Sequence, residues 1–290
     1  MNLPNSLQNS RLLRAPLLAV TKACLQPLTA RLPLLRRAAY DVEPMPYLVV
    51  GDREKYVVST QDKVIGRELF LHGEFDFQKL VIALEILRRE GRPTPRHLID
   101  VGANIGSIVI PALTRGLMQT GTAIEPHPEN LRLLRANLAL NGVEDRVRVL
   151  AQAVGEEATA TLFLQESMTN SGNHSVADAG LPTPSTRLDD VESPRPDALL
   201  WMDIEGYEGH ALQGATQLLA SGMPVVCEFN PLYLHQTGGF HSLCNALAGR
   251  LIFDLNDQYC KCTSLEILSE KYPGGDLFTD ILAISHESIQ

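Results

Sequence analysis

A chain of 290 residues, 44% apolar and 20% charged, can bury one large core and has the make-up of a soluble globular protein. Its formal charge of −9 is unevenly placed: residues 1–40 hold Arg11, Arg14, Lys22, Arg31, Arg36 and Arg37 and no acid, which leaves −15 on the remainder. A body that acidic repels phosphate backbones and argues against a nucleic-acid substrate. No run of about 18 apolar residues is present to cross a membrane as a helix.

The basic segment is rich in leucine and arginine and is broken by Pro16, Pro27 and Pro33. Its apolar run from Pro16 to Val20 is too short for a secretory signal, and no clear cleavage site follows. Three readings stay open: an arginine-rich organelle transit peptide, an amphipathic segment in peripheral contact with an anionic membrane, or a weakly ordered or helical extension. The five cysteines, Cys24, Cys227, Cys244, Cys260 and Cys262, are scattered. Cys260 and Cys262 have no second pair to complete a zinc site, so reduced thiols in a cytoplasmic protein are expected.

After this segment, residues 47–58 read as two short strands around a Gly-Asp turn. Residues 75–90 carry Leu80, Leu84 and Leu87 at helical spacing, and Gly91 to Pro95 stops that helix. From Arg96 the pattern alternates. HLIDV is a strand, a helix spans about 107–118, and Thr122 to Glu125 is the next strand. Pro128 opens a helix that Asn141-Gly142 ends. VRVLAQAV and ATLFLQ are strands, and residues 168–187, rich in Ser, Asn, Pro and Gly, form a long loop. ALLWMDIE is a buried-type strand followed by a helix over about 207–219. PVVCEF, a helix near 240–248, RLIFDLN and FTDILAIS complete the series. Alternation of this kind implies a parallel sheet with helices on both faces and ligands beyond the carboxyl ends of its strands.

The stretch LIDVGANIGS, residues 98–107, is a strand running into a glycine turn. A dinucleotide fingerprint needs three glycines. Here Asn104 and Ser107 stand where the second and third belong, and Asp100 would repel phosphate, so a nicotinamide-dependent oxidoreductase is disfavoured. No Gly-Lys-Ser/Thr follows to make a phosphate loop. The turn suits a ligand without phosphates, and S-adenosylmethionine is one. Asp100 suits its cationic end, backbone N–H groups at the helix start suit its carboxylate, and Glu125, ending the next strand, can accept hydrogen bonds from both ribose hydroxyls.

DVGANIG, then IEPHPENLRLLRANLALNG, then WMDIEGYEGHALQG, then VVCEF resemble the FkbM-type family of class I methyltransferases, over roughly residues 65–285. The resemblance implies an α/β fold: a Rossmann-like, doubly wound, seven-stranded sheet with an antiparallel last strand, here FTDILAIS. It implies a basic extension over 1–45, a strand and helix cap region over 46–96 and an S-adenosylmethionine-binding domain over 97–290. It also implies O-methylation of a hydroxyl on a sugar, a glycan or glycolipid, or a natural product. Carried across, Asp100, Gly102, Asn104 and Gly106 form the cofactor loop, Glu125 holds the ribose, and Pro126 and His127 flank it. Gln152 and Ala153 meet the adenine, and Asp203 lies near the methionine ammonium or the acceptor. One departure is Trp201, where the family often has a lysine.

A hydroxyl acceptor benefits from a base. The candidates are Glu205, Asp203, Glu228 and His127, with Glu205 favoured and His127 read first as a turn residue. Asp203, Glu205 and Glu228 could converge on a divalent cation, but no spacing singles out a metal, and none is expected. NPLY, residues 230–233, resembles the Asn-Pro-Pro-Tyr of amino-methylating enzymes but follows the wrong strand. It reads as a proline turn, with Tyr233 and His235 near the acceptor, and residues 171–175 either close over the acceptor or form a surface insertion. A non-catalytic small-molecule-binding module on the same fold remains the alternative to an enzyme.

Overall fold

The computed structural model describes residues 33–42, 45–158, 160–257, 260–262 and 264–286. The readings made for residues 1–32 therefore lie outside the described residues. The chain divides into two compact units, residues 1–46 and 47–290. The described part of the first is one helix, α1 (Pro33–Asp41), opened by a proline whose missing N–H is no loss at that position. Among the described residues no helix is long and apolar enough to cross a membrane.

The second unit opens with an antiparallel hairpin, β1 (Tyr47–Val50) and β2 (Tyr56–Ser59), with Val50 opposite Tyr56. This matches the two strands expected around Gly51-Asp52. Helix α2 (Ile65–His72) was not foreseen, while α3 (Phe77–Arg89) buries Phe77, Leu80, Ala83, Ile86 and Leu87, with the expected Leu84 half-buried at the edge of that face. Then come β3 (His97–Val101), α4 (Val109–Thr114), β4 (Thr120–Ile124), α5 (Pro128–Leu140) and β5 (Val147–Leu150). Asn137 and Asn141 of the α5 end tie the hairpin to this layer. Asn137 accepts from Val57 N at 2.6 Å and donates to Ile105 O at 3.0 Å, and Asn141 accepts from Lys55 N at 2.9 Å.

The next four strands, β6 (Ala153–Val154), β7 (Thr161–Gln165), β8 (Ser175–Ala177) and β9 (Leu181–Thr186), form their own sheet in the order β6-β9-β7-β8. Two expectations fail here. Residues 168–187 are not one long loop, since β8 and β9 both pair antiparallel with β7. Pro182 and Pro184 signalled a loop but sit within β9 on exposed positions, while Thr183 and Ser185 face inward. VRVLAQAV is not one strand either: it breaks at Ala151-Gln152, and its halves pair with β4 and β9 in different sheets.

The chain continues through α6 (Leu188–Val191), β10 (Ala198–Met202), α7 (Glu208–Gln213), α8 (Thr216–Ala220), β11 (Val225–Phe229), α9 (Pro231–Gln236), α10 (Phe240–Ala246), β12 (Leu251–Asp254), β13 (Cys260–Cys262), α11 (Leu265–Lys271) and β14 (Thr279–Ile284). The single helix expected over 207–219 is two, divided at Gly214-Ala215, and Gly214 passes so close to Gly155 that a Cβ would lie 2.3 Å from its carbonyl oxygen.

The main sheet runs β13-β12-β14-β11-β10-β3-β4-β5. Strands β3, β4, β5, β10 and β11 are parallel, and β14 is antiparallel to both β11 and β12. This is the expected seven-stranded Rossmann-like sheet with a reversed last strand, extended at one edge by the three-residue β13. All residues of β3, β10, β11 and β14 are buried, as central strands covered on both faces must be. From β3 the chain moves outward one way to β4 and β5, then returns to add β10 and β11 on the other side. The crevice at the carboxyl ends of β3 and β10 is therefore the topological switch point, where ligands bind in open sheets of this kind.

Candidate active site

The turn after β3 is built on backbone positions that few side chains permit. Gly102 has φ +81°, and a Cβ there would lie 2.0 Å from the Asp203 carbonyl oxygen. Only glycine lets the ends of β3 and β10 approach so closely. Asn104 also adopts a left-handed conformation, with φ +50°. Gly102 N and Ala103 N both donate to Ile124 O, at 3.0 and 3.1 Å, which pins the turn to the end of β4.

Glu125 completes that attachment. One carboxylate oxygen accepts from Asn104 N and the other from His127 N, both at 2.8 Å. The side chain is buried, and burial pushes its pKa up to about 7 against the pull of the two N–H groups. Asp100 is 1% exposed. Burial raises its pKa to about 7, opposed by the N–H of Val109 and reinforced by the Glu125 charge. Its Oδ2 has no hydrogen-bond partner. A buried carboxylate oxygen without a partner costs free energy, which a cationic ligand would recover.

Asp100, Gly102, Asn104, Glu125, Pro126 and Asp203 line one cavity at the switch point. Gln152 and Ala153 line an adjoining, mainly apolar cavity with Val101, Val154 and Leu164. Gly102, Pro126, His174 and Ile204 border both. Gly106 borders neither; it lies beneath the turn, where a Cβ would be 2.6 Å from Ile110 Cδ1. Trp201, at the position of the family's lysine, lines the first cavity.

The turn after β10 carries the other acids. Asp203 is half-buried, and burial followed by the nearby Glu205 charge raises its pKa well above the usual range. Glu205 sits in the left-handed region with φ +55°, a conformation uncommon for a side chain of this length and one that clusters at functional sites. Burial, then repulsion from Glu208, raises its pKa to about 8. Glu208 is 1% exposed and accepts from Ile204 N at 3.0 Å. That bond ties the start of α7 back to the turn, and the other carboxylate oxygen, Oε2, is buried without a hydrogen-bond partner.

Glu205 borders a cleft of about 920 Å³ together with Tyr207, His210 and Tyr233. The far wall comes from the small sheet, through Thr161, Phe163 and Ser175. Glu228 stands apart. It is buried at the end of β11, opposite Asp280 of β14, has an unpartnered Oε2, and borders neither the cleft nor the two cavities. Burial, then Asp203, raises its pKa well above the usual range. Among the described residues no three of His, Cys, Asp and Glu are arranged to hold a metal ion.

His127 hydrogen-bonds Glu166 at 2.9 Å, and its ring centroid lies 4.0 Å from that of His174. His174 accepts from Ser167 N through Nδ1 at 3.0 Å, so that nitrogen is unprotonated. Burial and the neighbouring His127 lower its pKa to about 4. The 171–175 segment serves both sides of the site. Ser171, Gly172 and His174 border the inner cavity, whereas Asn173 and Ser175 border the cleft. Tyr233 lines the cleft, but His235 stacks on Phe240 at 4.3 Å and does not. NPLY is not a simple turn: Pro231 opens α9, and the Asn230 amide is engaged by Gly275, accepting from its N at 3.0 Å and donating to its O at 3.2 Å. Sequence reasoning gave Glu208 no role, although it carried a readable signal, a second acid three residues beyond Glu205, and it named His174 only as part of the 171–175 segment.

Comparison with curated proteins finds no match. Several solved methyltransferase structures are similar to this chain. TYW2 of P. horikoshii in complex with MeSAdo is 14% identical over 82% of this chain and 70% of that one, with a TM-score of 0.43. TYW2 of M. jannaschii in complex with AdoMet is 10% identical over 83% and 86%, with a TM-score of 0.45. Precorrin-6y C5,15-methyltransferase of Geobacter metallireducens is 17% identical over 71% and 86%, with a TM-score of 0.38. The methyltransferase FkbM domain matches residues 100–281, from the acid of the first turn to the middle of the reversed strand and over more than half of the chain. The chain therefore belongs to the methyltransferase FkbM domain family.

Proposed function

We propose that this protein uses S-adenosylmethionine to methylate a hydroxyl of a sugar, glycan or glycolipid, or natural product. The observation that carries the reading is the turn over residues 203–207. Asp203 borders the inner cavity, Ile204 borders both cavities, Glu205 borders the cleft, and Tyr207 borders the cleft and the apolar cavity. One short turn thus stands between the two inner cavities and the larger cleft and supplies an acid to each side.

The residues fit the cofactor. The unpartnered Asp100 Oδ2 offers an acceptor to a cationic group. Each Glu125 oxygen accepts one backbone N–H, and the carboxylate, which Asn130 also approaches, keeps acceptor capacity for a hydroxyl. Val101, Val154 and Leu164 offer an apolar bed for a base, with the Gln152 amide at its edge. When bound, S-adenosylmethionine supplies a methyl carbon made electrophilic by its sulfonium. Positioning by the protein is worth about 7–11 kcal/mol in favourable intramolecular cases. Glu205, held at the cleft by Glu208 and with its pKa raised to about 8, takes the proton of the acceptor hydroxyl. Glu228 has no route to that proton from its buried place, and Asp203 faces the cofactor side.

Calorimetric titration with S-adenosylmethionine, its demethylated product and NAD tests the cofactor. Binding of the first two but not NAD, lost in Asp100→Ala, is expected. Absence of binding by a folded wild type would overturn the reading. Transfer of a labelled methyl group to a panel of alcohols and amines tests the acceptor, and exclusive labelling of amines would refute O-methylation.

A further inference from the structure

The cleft of about 920 Å³ carries formal charge of one sign. Three carboxylates border it: Glu205 from the turn after β10, Glu166 just past β7 and Asp178 just past β8. Glu166 is engaged by His127, while Asp178 and Glu205 have no hydrogen-bond or ion-pair partner among the described residues. Among the described residues no lysine or arginine borders the cleft, and His210 turns its Nε2 to Thr237 O at 2.9 Å and its ring onto Tyr207. The two tyrosines of the cleft register the same field. Burial, then Glu156 and Glu157, raises the pKa of Tyr207; burial, then Glu205, Glu228 and Asp276, raises that of Tyr233.

We propose that this cleft selects a saccharide without negative charge, and turns away acceptors that carry phosphate, sulfate or carboxylate. The proposal takes from the reading above that the cleft is where the acceptor docks. A pyranose has apolar C–H faces and a rim of hydroxyls that both donate and accept. Phe163 is 37% exposed and, with Tyr207 and Tyr233, sets aromatic faces among the polar groups of the wall. Gln165 and Gln236 are exposed there, and each amide offers two donors and an acceptor to such a rim. An anionic group would lose its water, find no cation to replace it and stand beside acids of like charge, which costs affinity.

The test is saturation-transfer NMR of the full chain, with and without the demethylated cofactor, against glucose, galactose and mannose and their amino, 6-phosphate and uronic acid forms. The neutral and amino forms should bind, and the anionic forms at least about tenfold more weakly, with the gap narrowing at high salt. Asp178→Lys should narrow the gap by strengthening the anionic forms. Tyr233→Ala should weaken all forms alike and leave the ratio unchanged. Unaltered melting temperatures would show that both variants stay folded. Anionic forms binding as well as neutral ones, a gap indifferent to both salt and Asp178→Lys, or no saccharide bound by a folded wild type would each overturn the proposal. Labelled-methyl transfer to the same panel separates the two readings: neutral saccharides that bind but accept no methyl group would refute O-methylation and leave the charge selection standing.

Discussion

Replacing Asp100 by asparagine should stabilise the fold while abolishing cofactor binding. Asp100 is fully buried, and its pKa rises from the ordinary 3.8 to about 7. A carboxyl whose pKa is raised by folding binds its proton more tightly in the native state, so its ionisation opposes folding as pH climbs from 3.8 towards 7. A shift of about 3 units at 1.36 kcal/mol each gives a penalty of about 4 kcal/mol at pH 8 and about 1.6 kcal/mol at pH 5. Asparagine keeps an acceptor for the N–H of Val109 but places an unpaired amide N–H₂ where Oδ2 lacked a partner, at a cost of about 1–3 kcal/mol. The net gain at pH 8 is therefore about 2 kcal/mol, or a rise of about 4–8 °C in melting temperature for a domain of this size. At pH 5 the gain should be close to zero. Thermal melts of both proteins at the two pH values read the difference directly, because other titrating groups cancel. A melting-temperature difference that does not change between pH 5 and pH 8 would refute the linkage. Retained S-adenosylmethionine affinity in Asp100→Asn would refute the role of the charge.

Further outcomes follow from single contacts. Gly102→Ala places a Cβ 2.0 Å from Asp203 O at φ +81°, so it should destabilise by more than about 2 kcal/mol and abolish cofactor binding, read by melting and calorimetry. Asn137→Ala leaves Val57 N and Ile105 O without the amide that pairs them. A loss of about 2–4 kcal/mol is expected, with faster hydrogen exchange confined to the hairpin and the turn around Ile105. Glu205→Gln should keep cofactor affinity within a few-fold and lower labelled-methyl transfer to a hydroxyl acceptor by about 10²–10⁴. In wild type that transfer should rise with pH through about 8 as Glu205 loses its proton. An unchanged rate in Glu205→Gln would remove it as the base.

Much of the site could be read along the chain because its parts are local. Asp100, Gly102 and Asn104 lie within five consecutive residues at a strand end, and the acid of the next strand, Glu125, follows at the spacing of one strand–helix unit. Other parts were not readable. Glu205 was favoured over Asp203 and Glu228 as the base, but all three stood at strand ends in the sequence, and only the packing of β11 against β14 puts Glu228 under cover, away from the cleft. Gly106 looked like part of the cofactor loop, yet it serves contact with Ile110 and Leu134. Glu208, whose bond to Ile204 N braces the turn beneath Glu205, stood in the quoted WMDIEGYEGHALQG block without a role, and only the fold buries it.

By itself the sequence determined the alternation of strands and helices, the phosphate-free turn after β3 and the pair of acids that begins the site. Those features rest on hydrophobic periodicity and on backbone conformations that a few adjacent residues impose. Only the tertiary structure decided that the Pro-rich stretch over 181–186 is a strand, that VRVLAQAV divides between two sheets, and that the resulting small sheet walls a cleft facing Glu205. Strand pairing joins residues far apart in the chain, and burial, which sets the charge state of each acid, belongs to the packed whole rather than to any segment of it.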